Sequence, residues 1–300
     1  MAVALTQQQR GTLLGVVAYL IWGFAALYWI QTRPVDTSDL VAHRVTWSLP
    51  FVMLCLLIAG SGRLGGAIAL LKQPRTVGIM ACAALAGATN WLIFLWAVTH
   101  GHATEAALGY FLLPLVNVVI GLTVFRETLV GAQKVGIAFA TAAVILQLVY
   151  FGELPLIALG LAGSFGLYGA IRKGVAVESM EGLFLETVML APFAITWLLY
   201  TNGAGLGQHG LKVDLFLVGA GAFTAIPLIT YVAASRILPL TALGLVFYIG
   251  PTAQLLVAVV AFKEPFQSVQ AVAFGLVWLG LLVVTADSLR RARALRRLSK

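Results

Sequence analysis

Pro114 and Pro251 stand in the middle of long apolar stretches, and each has the same neighbours. Tyr110 and Phe247 come four residues earlier, and Asn117 and Gln254 come three residues later. On a helix, spacings of three and four share a face, so each stretch presents an aromatic ring, a kink and an amide along one stripe. A mid-helix proline removes a backbone donor, and in hydrocarbon the freed carbonyl is re-satisfied by a neighbour or lines a cavity. Two such stripes facing each other would form an aromatic-walled pocket with polar tips. The alternative is that the prolines are tolerated kinks and the amides are interhelical glue worth ~0.6–2 kcal/mol. Asn90 and Trp91 form a further polar and aromatic pair, and Pro227, Thr230 and Tyr231 lie at the matching depth later in the chain. Tyr19, Trp22, Phe165 and Tyr168 lie too deep to be interfacial anchors, which leaves cavity wall or packed core. This is chemistry for holding a solute by stacking and hydrogen bonding, not for making or breaking bonds.

Ionisable residues inside apolar stretches are costly and default to functional candidates, and here they are His43, Arg44, Glu105 and Glu186. At ~1.5 Å rise per residue, Arg44 lies about 9 Å and Glu105 about 3 Å below one surface, and Glu186 about 10 Å below the other. An ion pair or gate between Arg44 and Glu105 is therefore expected, with Glu186 closer to Arg236 or Arg172. A gating or proton-coupling role competes with snorkelling and a structural ion pair. The sequence carries no P-loop, dinucleotide-binding glycine pattern, H-E-x-x-H or nucleophile elbow. His100 and His102 have no partner at metal-ligand spacing apart from Glu105. No enzyme, cofactor or metal is expected. Cys55 and Cys82 lie in apolar segments as small hydrophobes.

The elements that must position these groups follow from composition. The 300 residues are 61% hydrophobic and 10% charged, with a mean hydropathy of +0.98, more apolar surface than a water-soluble domain can hide. Membrane-spanning helices need ~20 apolar residues. Ten such stretches are expected at 11–31, 38–60, 76–98, 103–125, 131–150, 154–173, 179–200, 213–235, 240–262 and 267–287. Lys and Arg are enriched in cytoplasmic loops. A cytoplasmic N-terminus puts fifteen of them inside and only Arg33, Lys212 and Lys263 outside, with Arg44 within a span. That bias requires an even number of spans and both termini in the cytoplasm. The basic tail from Arg290 to Lys300 reads as a lipid-headgroup anchor rather than a nucleic-acid site.

Residues 76–147 align without a gap on 213–284 at an offset of 137. Pro114 falls on Pro251, Ala97 on Ala234, Asn117 on Gln254, and Phe125-Arg126-Glu127 on Phe262-Lys263-Glu264. Two five-helix halves are expected, 1–150 and 151–289, followed by a tail at 290–300. Five is odd, so the second half is inverted, an arrangement that places a solute site near the midplane between halves. A channel-like pore would need a continuous polar stripe or charged ring, whereas these polar residues cluster at mid-depth. A lipid or isoprenoid-carrier flippase is the closer rival, because an aromatic cavity also suits a lipid tail.

His43-Arg44-Val45-Thr46-Trp47-Ser48, Asn90-Trp91, Gly109-Tyr110-Phe111, Pro114-Leu115-Val116-Asn117, Arg172-Lys173 and Tyr248-Ile249-Gly250-Pro251-Thr252 resemble the RarD branch of the EamA-type drug/metabolite transporters over almost the whole chain. The resemblance implies an all-α, ten-helix, inverted 5+5 carrier of the bacterial inner membrane with both termini cytoplasmic. YddG-like members export amino acids, aromatic ones included, and other small metabolites. On this reading substrate rests against Trp22, Trp91, Tyr110, Phe111, Tyr168, Tyr231, Phe247 and Tyr248, with Asn90, Asn117 and Gln254 on its polar groups. Gly109, Pro114, Gly250 and Pro251 absorb the bend of alternating access. The expected partners are a small-molecule substrate and membrane lipid, with no nucleic acid, and the expected unit is a monomer.

Overall fold

The computed structural model describes residues 5–60, 62–99, 103–129, 131–152, 156–261, 263 and 268–298; within its helices the side chains of 103–108 and 111, among others, lie outside the description. Every regular element among the described residues is helical. A capping box starts α1 (Gln7–Gly23): the Thr6 hydroxyl accepts from Gln9 N and the Gln9 amide accepts from Thr6 N. A bend of 42° separates α1 from α2 (Ala25–Trp29) and the 3-10 turn that follows it. Then come α3 (Thr37–Ile58), the short α4 (Arg63–Leu70), α5 (Pro74–Thr99), α6 (Ala103–Thr123) and α7 (Gly131–Phe151). The second part holds α8 (Leu156–Gly174), α9 (Ser179–Tyr200), α10 (Leu211–Ile237), α11 (Leu240–Phe247), α12 (Ile249–Leu256) with a π turn at Val257–Ala261, and α13 (Ser268–Leu298).

Helix runs along each apolar stretch marked out by the sequence, and α4 is an addition between the stretches 38–60 and 76–98. Among the described residues, five helices are long and apolar enough to cross a bilayer, or six if α1 and α2 with its turn are one bent span. Their outer faces carry bare apolar side chains, including Ile58 at 78%, Phe193 at 76% and Val149 at 76% exposure. So much contiguous exposed apolar surface is stable only against lipid. The protein is a multi-pass membrane protein.

Two cores dominate the packing, with three small apolar clusters beside them. The larger gathers α1, α3, α5, α6, α8, α9, α10 and α11 around Tyr19, Tyr168, Tyr231 and Phe247. The smaller joins α7 to α13 through Ala140, Ala143, Val144, Ala273, Phe274 and Val277. The most extensive pairings are α7 with α13, α6 with α8, α1 with α10, α3 with α9 and with α10, and α5 with α8. Small residues permit these approaches. A Cβ on Gly221 of α10 would run into the backbone of Trp47 and Ser48 on α3, where the Ser48 hydroxyl donates to Gly221 O at 3.2 Å.

Pro251 has no N–H for the carbonyl of Phe247, and the helix breaks there: α11 ends at Phe247, Tyr248 forms a turn, and α12 begins at Ile249. The next carbonyl, Tyr248 O, is satisfied by Thr252 through its N–H at 3.1 Å and its hydroxyl at 2.7 Å. Pro114 leaves α6 unbroken.

Candidate functional site

Seven rings from five helices meet at the centre. On α1, Tyr19 lies 5.0 Å from Phe247 and 6.2 Å from Tyr231, and Trp22 lies 5.5 Å from Phe165 and 5.7 Å from Tyr231, between ring centroids. Phe165 and Tyr168 of α8 stack at 5.7 Å, and Tyr231 of α10 lies 5.2 Å from Phe165. Tyr110 of α6 closes the group at 6.0 Å from Phe247. The Tyr110 and Phe247 stripes do face each other. Their rings pack in contact, so they form a plug rather than the walls of an open cavity.

Beside this plug lies a small pocket between α3, α5, α8, α9 and α10, with room for about one water. Trp91, Phe165 and Tyr168 provide aromatic walls, and Ser48, Thr187, Thr224 and Glu186 provide the polar lining. A solute larger than water enters this pocket only when the helices separate.

One side of the pocket holds a buried charge network. The Arg172 guanidinium, fully buried, lies 3.1 Å from a Glu186 carboxylate that is itself 4% exposed. Tyr168 OH donates to the other Glu186 oxygen at 3.3 Å, and Arg172 donates to Ser179 O at 3.1 Å. A Cβ on Gly182 would collide with this guanidinium, so the glycine is what admits Arg172. Of the two basic candidates near Glu186, Arg172 is its partner, while Arg236 pairs with Glu178 at 3.4 Å.

The other side holds Arg44. Its guanidinium lies over the rings of Trp29 at 5.0 Å and Trp91 at 4.7 Å, and its Nε donates to Thr224 at 3.0 Å. Glu105, the counter-charge expected from depth, has its side chain outside the described residues, as does Phe111. His43 binds at both ring nitrogens, receiving Trp47 Nε1 at 3.2 Å on Nδ1 and meeting Ala204 O at 3.1 Å through Nε2. It ties α3 to the 201–210 loop.

The three amides diverge. Asn90 donates to Leu161 O at 2.9 Å and Ser164 Oγ at 3.2 Å, joining α5 to α8. Gln254 donates to Trp22 O at 3.4 Å, at the bend between α1 and α2. Asn117 is fully buried and, among the described residues, neither of its amide atoms has a partner, nor does the Tyr231 hydroxyl wedged against Gly169. Tyr248 turns away from the central plug into the α7–α13 core. Gly109 fits against Ala158 and Leu161, where a Cβ would approach to 3.0 Å, whereas Gly250 meets only ordinary contacts at 3.5 Å. Pro114 and Pro251 are both buried. Gly160, Gly166 and Gly169 of α8 face Ile93, Val116 and Tyr231 in turn.

Thr187, Thr224 and Trp29 carry no mark in the sequence, and Ser48 only closes a family string, because hydroxyls and a tryptophan are ordinary in apolar helices. Only the packing brings them to Arg44 and the pocket.

An all-helical bundle with lipid-suited outer faces and an aromatic and ionic centre is an architecture that fits a membrane carrier. The profile of the EamA-like transporter family matches residues 9–149. The chain is 37% identical over 292 residues to an uncharacterized transporter of Vibrio cholerae, covering 96% of each. It is 37% identical over 290 residues to the protein RarD of Salmonella typhi, covering 96% of this chain and 98% of that one. A crystal structure shares its fold at a TM-score of 0.68 with 22% identity, covering 92% of this chain and 97% of that one. The chain belongs to the RarD-type transporters of the drug/metabolite transporter superfamily. It is a transporter of small molecules and not an enzyme.

Proposed function

We propose that this protein is a secondary transporter or facilitator that exports amino acids, aromatic ones included, and other small metabolites or drugs across the bacterial inner membrane by alternating access. The observation that carries the reading is the central pocket, walled by Trp91, Phe165 and Tyr168, beside an aromatic plug contributed by both parts of the chain. Trp22, Tyr110, Tyr231 and Phe247 swing from plug to wall as the helices part. Asn117 and Tyr231, which have no partner among the described residues, then find one in water or substrate. Gly250 and Pro251 are the hinge, adjoining a helix already broken at Tyr248.

In this reading ten spans form two inverted halves, 1–150 and 151–289, with both termini in the cytoplasm. The helix pairings support the exchange. Swapping halves converts α1 with α10 into α8 with α5, and α6 with α8 into α11 and α12 with α1, and returns α3 with α9 and α7 with α13 to themselves. The test is uptake by purified protein in liposomes over a panel of radiolabelled amino acids, with and without an imposed pH gradient. Saturable uptake of several amino acids is expected. Flat traces across the panel, with the protein shown folded and inserted, overturn the amino-acid reading in favour of a lipid or isoprenoid-carrier flippase.

A further inference from the structure

We infer that Arg44 is the anchor for a carboxylate of the transported solute, at the edge of the central pocket formed by Trp91 and Thr224; this rests on the carrier reading above. Arg44 is only 9% exposed and lies inside α3. A guanidinium stays charged in proteins, and an unpaired buried charge is destabilising by several kcal/mol. Yet among the described residues no carboxylate lies within 4.0 Å of it. The ion pairs there join Arg63 to Glu181, Arg172 to Glu186, Lys173 to Glu127 and Arg236 to Glu178.

Arg44 is held instead by neutral groups that orient it. Two indole rings attract the cation through their faces, and Thr224 takes Nε–H. The fork of a guanidinium fits a planar oxyanion through two parallel N–H bonds, and the Nη end of this fork is the part that Thr224 does not engage. Snorkelling does not explain the arrangement. A snorkelling side chain keeps its head in water, whereas this head is locked between Trp29 and Trp91. Both Trp91 and Thr224 line the pocket, as do Val45, next to Arg44 in the chain, and Ser48, one helical turn on, so the charge borders the space that a solute occupies. The remaining lining is mostly apolar, through Leu183, Leu190 and Leu228. The Glu186 carboxylate is already matched by Arg172. The fitting ligand is therefore a small monocarboxylate with an apolar body, such as a neutral amino acid.

The test is thermal unfolding of the purified full chain in phosphatidylcholine nanodiscs with L-leucine, 4-methylpentanoate or L-leucinamide. Ligands that bind only the folded state raise its midpoint. The two acids are expected to raise it by about 3 °C or more at saturation, and the amide, which keeps the side chain but lacks the carboxylate, is not. Arg44→Gln is expected to raise the half-saturating acid concentration at least about tenfold. Thr224→Val, which keeps the charge but loses the orienting bond, is expected to raise it several-fold and serves if Arg44→Gln does not fold. Equal shifts with leucinamide and leucine, wild-type shifts in both variants, or no shift with either acid would overturn the assignment. An anionic headgroup offers the same oxyanion chemistry. Arg44-dependent stabilisation by added phosphatidylglycerol, with none from the acids, would reassign the site to lipid and overturn a solute anchor. Liposome flux separates the two claims. Leucinamide carried as fast as leucine, equally in Arg44→Gln, rejects the anchor and keeps the carrier; acid binding without flux keeps the carboxylate site and rejects the carrier.

Discussion

Glu186 and Arg172 show how a charge survives at mid-depth in a bundle surrounded by lipid. Each has the other at 3.1 Å, and the remaining polar atoms are largely matched by Tyr168 and the carbonyl of Ser179. Removing one partner strands the other, at a cost of ~3–5 kcal/mol, whereas replacing both with apolar residues of similar volume is often near neutral. Glu186→Ala is therefore expected to lower the thermal unfolding midpoint in detergent far more than Arg172→Met combined with Glu186→Leu. A double variant as unstable as the single one would show that packing, and not the stranded charge, dominates. Tyr231 makes the opposite case. Its hydroxyl is buried against Gly169 with no partner among the described residues, and an unmade bond costs ~1–3 kcal/mol. Tyr231→Phe is expected to leave stability unchanged or raised while slowing transport, because the hydroxyl is useful only when the plug opens. Transport at the wild-type rate in that variant would place Tyr231 in the packed core alone.

The two proline-bearing helices are alike in sequence and unlike in structure. α6 is continuous through Pro114, while the chain breaks between α11 and α12 one turn before Pro251. Downstream of Pro251, after Leu256, the helix loosens into a π turn at Val257–Ala261, and such turns recur at functional sites. Pro251→Ala restores the donor for Phe247 O, favouring a continuous helix by as much as ~3 kcal/mol. It is expected to cut the transport rate severalfold, and Pro114→Ala to have a smaller effect, both measured as initial uptake into liposomes at matched protein density. Equal, wild-type rates in the two variants would remove both prolines from the conformational cycle. Matched spacing around Pro114 and Pro251 was visible in the sequence, but this asymmetry was not, because it depends on how α12 seats against α1. There Gly23 lets Ala253 and Gly250 approach so closely that a Cβ would meet Ala253.

Helix positions were legible because a bilayer demands long apolar runs with internally bonded backbones. The bounds of α3, α7, α8 and α9 differ from the expected stretches by only a few residues. Partner choice was not legible, since a helix that is apolar all round gives no direction to its buried face. That is why Asn90, Gln254 and Tyr248 face where no spacing argument placed them. Charge recovers some of this information at the scale of the whole molecule. At the lysine- and arginine-rich end, Lys173 donates to Ser235 O at 3.1 Å and Leu238 O at 2.9 Å and faces Glu127 at 3.5 Å. The same Glu127 oxygen accepts from Leu240 N, at the start of α11, at 2.9 Å. One ion pair thus ties the 124–129 loop, the end of α8, the end of α10 and the start of α11. Arg236 adds a second tie through Val177 O at 2.6 Å and Glu178 at 3.4 Å. A carrier that alternates must undo these ties to open this end, so each weakens that opening by about its net worth, ~1 kcal/mol for a partly exposed pair. Lys173→Met is therefore expected to shift the population severalfold toward the state open at this end. The readout is an Ala84→Cys reporter in the pocket lining, in a background with Cys55 and Cys82 replaced by alanine, labelled with a membrane-impermeant thiol reagent from one face at a time. Applied at the lysine-rich end, the reagent should label Lys173→Met about three- to tenfold faster than its parent. From the opposite face it should label more slowly, because the two open states compete for one population. Faster labelling from both faces would mean that the substitution loosened the bundle, and unchanged labelling from both would mean that these ties do not hold the end closed.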